Sequence, residues 1–374
     1  MKGRIGILGA GISGIGAALL AKAKGYDVWV SDLGEIKEDR KHTLREHHIP
    51  FEEKGHHLET LLTCEVIVKS PGMSNEGSII QALMNAGKEI IGEIEWAYRH
   101  AEGKIIGITG SNGKTTTTGL CHHFLHEAGI HAAKVGNVGE GFCHYLVDQS
   151  ADWYVCELSS FQLEDVTTFR PQVAILLNIT PDHLDRYAYS LNRYAEAKMK
   201  IVQSMTEADT LIYNAMDPVS VAKVVSTQME PRLWSIRETD LIGDDRVYIR
   251  EDLVLDLSRS RLMGKHNQVN VIAAARAAGH AGRVVAARGA SSSSSSARRA
   301  SSARAASRSA AGRTPAEQSR SSSTQDARRA ARFASRGSAW AGSRRGKTSR
   351  AATKATAASV IPPATSQKPS IREP

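Results

Sequence analysis

Of all the segments in this sequence, Thr109-Gly110-Ser111-Asn112-Gly113-Lys114-Thr115 is the best fitted to hold a phosphate chain. It follows an apolar run, Lys104–Thr109, that reads as a strand, and it opens a stretch from about Thr115 to Ala128 that reads as a helix. Glycines let backbone N–H groups turn toward phosphate oxygens, and a helix N-terminus adds positive potential. Lys114 can reach β- and γ-phosphates, and the Thr115 hydroxyl can ligate Mg²⁺. Gly110, Ser111, Asn112, Gly113, Lys114, Thr115 and Thr116 are the candidate nucleotide cradle. Ile108 stands where the full phosphate-loop spacing needs glycine, so the match is to a shortened form. An ordinary strand-to-helix turn with an exposed lysine is the plain alternative.

Further candidates follow downstream. Glu157 closes the apolar run Trp153–Cys156, where a carboxylate can face a bound nucleotide. Mg²⁺ takes one or two carboxylates plus phosphate oxygens, so Glu157 with Thr115 would suffice; a solvated strand-end carboxylate is the alternative. His183 follows the turn-forming Thr180-Pro181-Asp182, and imidazole is a borderline ligand for a hard cation. Lys198 shares a helical stripe with Tyr194, Ile201, Val202 and Met205 in a stretch around residues 191–205. A lysine there either snorkels or loses its charge, and a neutral amine can take up CO₂ as a carbamate. Asn267 and Asn270, one turn apart on a probable helix, can present both amides to an adenine or ribose edge.

Near the N-terminus, residues 4–8 read as a buried strand, Gly9-Ala10-Gly11-Ile12-Ser13-Gly14 as a tight loop and Ile15–Lys24 as a helix. A second strand closes at Asp32, and a third, Glu65–Lys69, leads into Ser70-Pro71-Gly72. Taken alone, the glycine loop and Asp32 form a dinucleotide fingerprint and point to an NAD-dependent oxidoreductase.

The elements that must position these groups alternate strand and helix, so the fold class is α/β. A Rossmann-like unit occupies 1–100 and a phosphate-loop α/β unit, with further strands at Trp153–Cys156, Val173–Leu177 and Thr210–Tyr213, occupies 101–282. Residues 283–374 are a Ser/Ala/Arg-rich segment without apolar periodicity, expected to be disordered. The net charge of +9 is an average of two unlike parts. Arg283–Pro374 holds 19 Lys+Arg against 3 Asp+Glu, leaving 29 against 36 for residues 1–282. The candidate catalytic part is therefore mildly acidic, which argues against nucleic acid as its partner. Cys64, Cys121, Cys143 and Cys156 form no CxxC pair and read as reduced thiols. No apolar run is long enough to span a membrane.

Five motifs in order carry a resemblance: GSNGKTT at the phosphate loop; Glu157-Leu158-Ser159-Ser160-Phe161-Gln162-Leu163; Asn178-Ile179-Thr180-Pro181-Asp182-His183-Leu184-Asp185-Arg186; Tyr194-Ala195-Glu196-Ala197-Lys198; and Gly264-Lys265-His266-Asn267-Gln268-Val269-Asn270. Together they resemble the Mur ligases, relatives of the folylpolyglutamate synthases, and the ELSSFQL form resembles the D-glutamate-adding branch. The resemblance implies an ATP-dependent amide-bond ligase of peptidoglycan precursor synthesis, cytoplasmic and monomeric. It would act on UDP-N-acetylmuramoyl-L-alanine and D-glutamate through an acyl phosphate. It implies two Mg²⁺ ions, held by Thr115, Glu157, His183 and a carbamylated Lys198. Lys114, Lys198 and His183 would be catalytic, and Asn267 and Asn270 would contact ATP. Gly11, Ser13, Gly14, Asp32, Ser70, Pro71, Gly72, Asn137 and Ser159 would bind the UDP substrate, with UDP where the fingerprint alone suggests NAD.

The family's third domain, which holds D-glutamate, has no match after residue 282. A shifted reading frame is one expectation for 283–374; a disordered basic tail that binds nucleic acid or acidic surfaces is the other. A catalytically silent nucleotide-binding protein is thus a second functional reading, beside the oxidoreductase.

Overall fold

The computed structural model describes residues 2–227 and 230–283. The expectations for the low-complexity segment lie outside the described residues, except that Arg283, the last described residue, is helical and lies over the Trp234 ring at 5.4 Å.

The N-terminal part runs β1 (Lys2–Leu8), α1 (Ile12–Ala23), β2 (Tyr26–Ser31), α2 (Glu38–Glu46), β3 (Phe51–Glu52), α3 (Leu58–Leu62), β4 (Val66–Lys69), α4 (Ser78–Asn85), β5 (Glu89–Gly92) and α5 (Glu93–Tyr98). Its five strands are parallel in the order β3-β2-β1-β4-β5. The order reverses at β1, so the ends of β1 and β4 flank a crevice, the usual ligand position in such sheets. Helix α1 begins three residues earlier than the sequence pattern suggests, at Ile12, because the glycine loop turns tightly. A Cβ at Gly14 would lie 1.8 Å from the Gly9 carbonyl oxygen, so only glycine lets α1 approach the end of β1 this closely.

The central part contains β6 (Lys104–Thr109), α6 (Lys114–Glu127), β7 (Ala132–Gly136), α7 (Phe142–Tyr145), β8 (Trp153–Glu157), α8 (Ser160–Leu163), β9 (Val173–Leu176), α9 (Leu191–Met199), β10 (Thr210–Asn214), α10 (Pro218–Ser226) and β11 (Arg232–Ile236). These six strands form a parallel sheet in the order β11-β10-β9-β6-β8-β7. An antiparallel sheet of β12 (Leu241–Ile242), β13 (Arg246–Arg250) and β14 (Leu253–Asp256) follows, and then a helix, α11, over 265–283. Residues 200–202 tighten into a 3-10 turn, so the helix expected to reach 205 stops at Met199. Helix α10 starts cleanly because Asp217 caps the Ser220 N–H and Pro218 needs no donor at the first turn.

Strands β6, β8 and β9 are almost wholly buried, which explains their continuous Ile/Val/Ala/Tyr composition. Several polar contacts fasten the two parts together. Glu95 of α5 is fully buried and accepts from the backbone N–H groups of Thr167, Thr168 and Phe169, the Thr168 hydroxyl and Arg99. Glu93 accepts from the Cys143 N–H. All four cysteines are buried and free. No helix among the described residues is long and apolar enough to cross a membrane.

Candidate functional site

Strand β6 ends at Thr109, and the chain passes through Gly110–Gly113 into α6. Gly113 has φ +86°, and a Cβ there would meet Asn270 Oδ1 of α11 at 2.5 Å. Glycine is therefore required both for the left-handed turn and for the close approach of α11. The first-turn N–H groups of α6, from Lys114 to Thr116, have no intrahelical partner and face a cleft of about 330 Å³. Ser111, Asn112, Gly113, Lys114, Thr115, Thr116, Asn137 and Glu157 are among its lining residues.

The loop is braced from behind by the end of β9. Asn178 Oδ1 accepts from the Asn112 N–H at 2.9 Å, and its amide donates to the Asn112 carbonyl at 3.0 Å. The Ser111 hydroxyl donates to the Thr180 carbonyl, accepts from the Thr180 N–H and lies 3.2 Å from the Tyr194 hydroxyl. The roles of Asn178, Thr180 and Tyr194 were not assigned from the sequence. Their signal is topological: β9 is the parallel neighbour of β6, so both strands end beside the same loop.

Lys114 donates to the carbonyls of Gly110 and Ser111 at 2.8 and 2.9 Å. Burial pushes its ammonium below the usual lysine value, against Glu157 and Asp182, which favour the charge. Lys198, only 1% exposed, donates to the same Gly110 carbonyl at 3.0 Å and lies 4.4 Å from the Tyr194 ring centroid. Burial, and then the Lys114 charge, push Lys198 down to about 7, with Asp182 opposing. The stripe of apolar neighbours thus gives a buried, readily neutralised amine, and snorkelling is excluded.

Glu157 is 1% exposed. Its Oε1 accepts from Asn137 Nδ2 at 3.0 Å, whereas Oε2 is buried with no hydrogen-bond partner. A buried carboxylate oxygen without a donor is costly, and a hard cation at the cleft edge satisfies it. Thr115 lines the same cleft, so these two residues fit one Mg²⁺ bound beside phosphates. His183 is not part of that cleft. Its backbone is left-handed at φ +49°, its side chain is 64% exposed, and its ring tilts against Phe161 at 5.6 Å. Lys198 lies behind the loop and not in the cleft wall. Among the described residues, no group of three or more His, Cys, Asp or Glu side chains could hold a metal.

Asn270 is buried and donates to Asn267 Oδ1 at 3.3 Å, so the two amides share a face of α11 beside Gly113. Ser159 caps α8: its hydroxyl accepts from the Gln162 N–H while Gln162 Oε1 accepts from the Ser159 N–H. At the other crevice, both Asp32 oxygens accept from backbone, Oδ2 from the Ala10 N–H at 2.6 Å and Oδ1 from the Gly34 N–H at 2.8 Å. Ser70 donates to the Gly9 carbonyl at 3.2 Å, bringing the Ser70-Pro71-Gly72 turn against the glycine loop. Exposed Ile12 and Leu33 flank that loop and offer apolar surface to a planar ring.

Residues 4–79 match the MurD N-terminal domain, and residues 108–278 match the Mur ligase middle domain. Both matched regions are domains of the Mur ligase family. Among the chain's relatives, a UDP-N-acetylmuramoylalanine--D-glutamate ligase of Bacteroides fragilis is 42% identical over 287 residues, covering 75% of this chain and 65% of the relative. The ligase of the same name from Cytophaga hutchinsonii is 42% identical over 290 residues, covering 74% and 64%. The chain thus spans slightly less than two thirds of the length of these curated relatives. Among solved structures, the UDP-N-acetylmuramate:L-alanyl-gamma-D-glutamyl-meso-diaminopimelate ligase of Neisseria meningitides shares the fold. Its TM-score is 0.53 at 19% identity, over 75% of this chain and 94% of that one.

Proposed function

We propose that this chain carries the UDP-substrate and ATP sites for joining D-glutamate to UDP-N-acetylmuramoyl-L-alanine, a step of cell-wall precursor synthesis. The observation that carries the reading is the cleft in which an unpartnered Glu157 oxygen and the α6 N-terminus meet. The naming of the 42%-identical relatives supports the substrate choice. ATP would lay its phosphates on the N–H groups of Lys114 to Thr116, with Asn267 and Asn270 toward the adenosine. Lys114 would exchange its two loop carbonyls for phosphate oxygens. The UDP moiety would rest on Gly11, Ser13, Gly14, Asp32 and the Ser70-Pro71-Gly72 turn, with Asn137 and Ser159 toward the muramoyl end.

Transfer of the γ-phosphoryl group to the L-alanine carboxylate gives an acyl phosphate. The D-glutamate amine attacks its carbonyl carbon, and phosphate leaves as the amide forms. Mg²⁺ on Thr115 and Glu157 would neutralise charge on the transferring group. The buried and readily neutral amine of Lys198 suits CO₂ addition, and a carbamylated Lys198 with His183 would hold a second ion only once His183 turned in from its exposed position. The chain's own work is positioning: the braced loop fixes the phosphates, and the fastened sheets fix the distance to the UDP crevice. The proposal includes a cytoplasmic, monomeric enzyme.

The direct test titrates the full chain with Mg–ATP and with UDP-N-acetylmuramoyl-L-alanine, then measures phosphate release with each substrate omitted. Binding of both ligands, with Mg–ATP lost in Lys114→Ala and the UDP substrate retained, supports the reading. Failure to bind Mg–ATP, or displacement of the UDP substrate by NAD, overturns it. The oxidoreductase reading is the weaker one, because both Asp32 oxygens already accept from loop N–H groups. Silent nucleotide binding is the second reading. Phosphate release that requires all three substrates excludes it.

A further inference from the structure

Two cations and two acids outside the cleft converge on one stretch of main chain. Arg186 donates to the Gly72 carbonyl at 3.1 Å and the Met73 carbonyl at 3.2 Å. Its remaining donors reach both oxygens of Glu164, at 3.3 and 2.9 Å, and its guanidinium covers the Phe161 ring at 4.6 Å. Lys69, with a fully buried side chain, donates to the same Met73 carbonyl at 2.8 Å and pairs with Asp165 at 2.6 Å. Asn75 donates to the other Asp165 oxygen at 3.2 Å. Each cation, Lys69 buried and Arg186 half-buried, therefore has its own acid, which offsets desolvation, and spends its spare donors on the turn after Ser70.

The position of this cluster matters more than its strength. Glu164 and Asp165 follow α8 directly, and Arg186 lies three residues beyond His183. Residues 183–189 include three non-glycine residues with positive φ: His183, Ala188 and Tyr189. Such a segment keeps its shape only when its surroundings over-determine it, and Arg186 is its anchor. At the far end, Ser70 holds the Gly9 carbonyl of the first glycine loop. At the near end, Thr180, six residues before Arg186, exchanges hydrogen bonds with the Ser111 hydroxyl of the nucleotide loop. One line of contacts thus runs from the nucleotide loop to the UDP crevice.

The geometry points to Arg186 as a positioning residue that couples the two sites, so that filling the nucleotide cleft tightens the UDP crevice. This inference rests on the site assignments proposed above. Arg186 and Lys69 make these contacts to main-chain carbonyls, so they set the location of the loop's backbone.

The test measures affinity of the full-length chain for UDP-N-acetylmuramoyl-L-alanine with and without a non-hydrolysable ATP analogue and Mg²⁺. The wild type is expected to bind about tenfold tighter with the analogue present, within the usual range for coupled sites. Arg186→Met should bring that ratio close to one, and Arg186→Lys, which keeps the charge but loses the fork, should restore part of it. A purely structural role would lower the melting temperature and leave the ratio unchanged. If Arg186→Met does not fold, Arg186→Lys alone decides, and a wild-type ratio in it overturns the inference. A wild type that binds both ligands without coupling also overturns it. A wild type that binds neither removes the site assignments and this inference together.

Discussion

Lys198→Met should stabilise the ligand-free fold, and by an amount that depends on pH. Lys198 titrates near 7 in the folded chain, against 10.5 for an ordinary lysine. Between these values the folded chain holds a neutral amine, while the unfolded chain holds an ammonium. Unfolding then takes up a proton, so wild-type stability rises with pH in this window, by up to about 1.4 kcal/mol per pH unit. Below pH 7 the full penalty of the buried charge is present, on the order of 5 kcal/mol before relaxation. Allowing for water penetration and for the lost bond to the Gly110 carbonyl, the net gain from Lys198→Met at pH 7 is about 2 kcal/mol. Urea denaturation of both proteins at several values between pH 7 and 10, in CO₂-free buffer, measures it. The midpoint difference should be largest at pH 7 and shrink steadily as pH rises. A destabilised variant, or a difference independent of pH, would refute the picture of a desolvated amine behind the loop.

Gly113→Ala forces an L-residue into φ +86° and a Cβ against Asn270, so it should lose roughly 1–2 kcal/mol of stability and at least ~10-fold in Mg–ATP affinity. Wild-type affinity in a calorimetric titration would contradict the close packing of α11 on the loop. Glu157→Gln should leave the melting temperature nearly unchanged but remove most of the Mg²⁺ dependence of ATP binding, read from titrations with and without the ion. Glu95→Ala strands three backbone N–H groups and should cost about 3 kcal/mol or more in chemical denaturation. Although burial alone raises it, hydrogen bonds from Thr168, Thr167 and Arg99 hold the Glu95 carboxyl below its ordinary value of 4.5. The stability it contributes is therefore present above pH 4.5 and lost as pH falls through the lower folded value, so Glu95→Gln should flatten the acid limb of the stability profile.

Much of the central sheet was legible in the sequence because buried parallel strands are continuous apolar runs; β6 was expected at Lys104–Thr109 and is found there. Short strands escaped. β3 has only two residues, and β13 alternates exposed and buried side chains over only five. The boundary of α9 was missed because the tightening at Lys200 depends on packing, which periodicity does not encode. In the site, the neutral character of Lys198 was foreshadowed by its apolar stripe. The exposure of His183 was not, since it follows from a left-handed backbone that no local composition demands. Asn178 lies in a motif visible in the sequence, yet its bridging of both Asn112 backbone groups emerges only when β9 pairs with β6.

The burial of the four thiols has a practical corollary. The thiolate is the species that reacts with maleimides, and burial pushes Cys64, Cys121, Cys143 and Cys156 all above the usual thiol value. These are all the cysteines of the chain. A cysteine introduced at exposed Leu33 or Tyr189 would therefore be the one readily labelled position. A donor and acceptor dye at those two sites would report their separation by energy transfer as ligands are added, without first rebuilding the native protein as a cysteine-free variant.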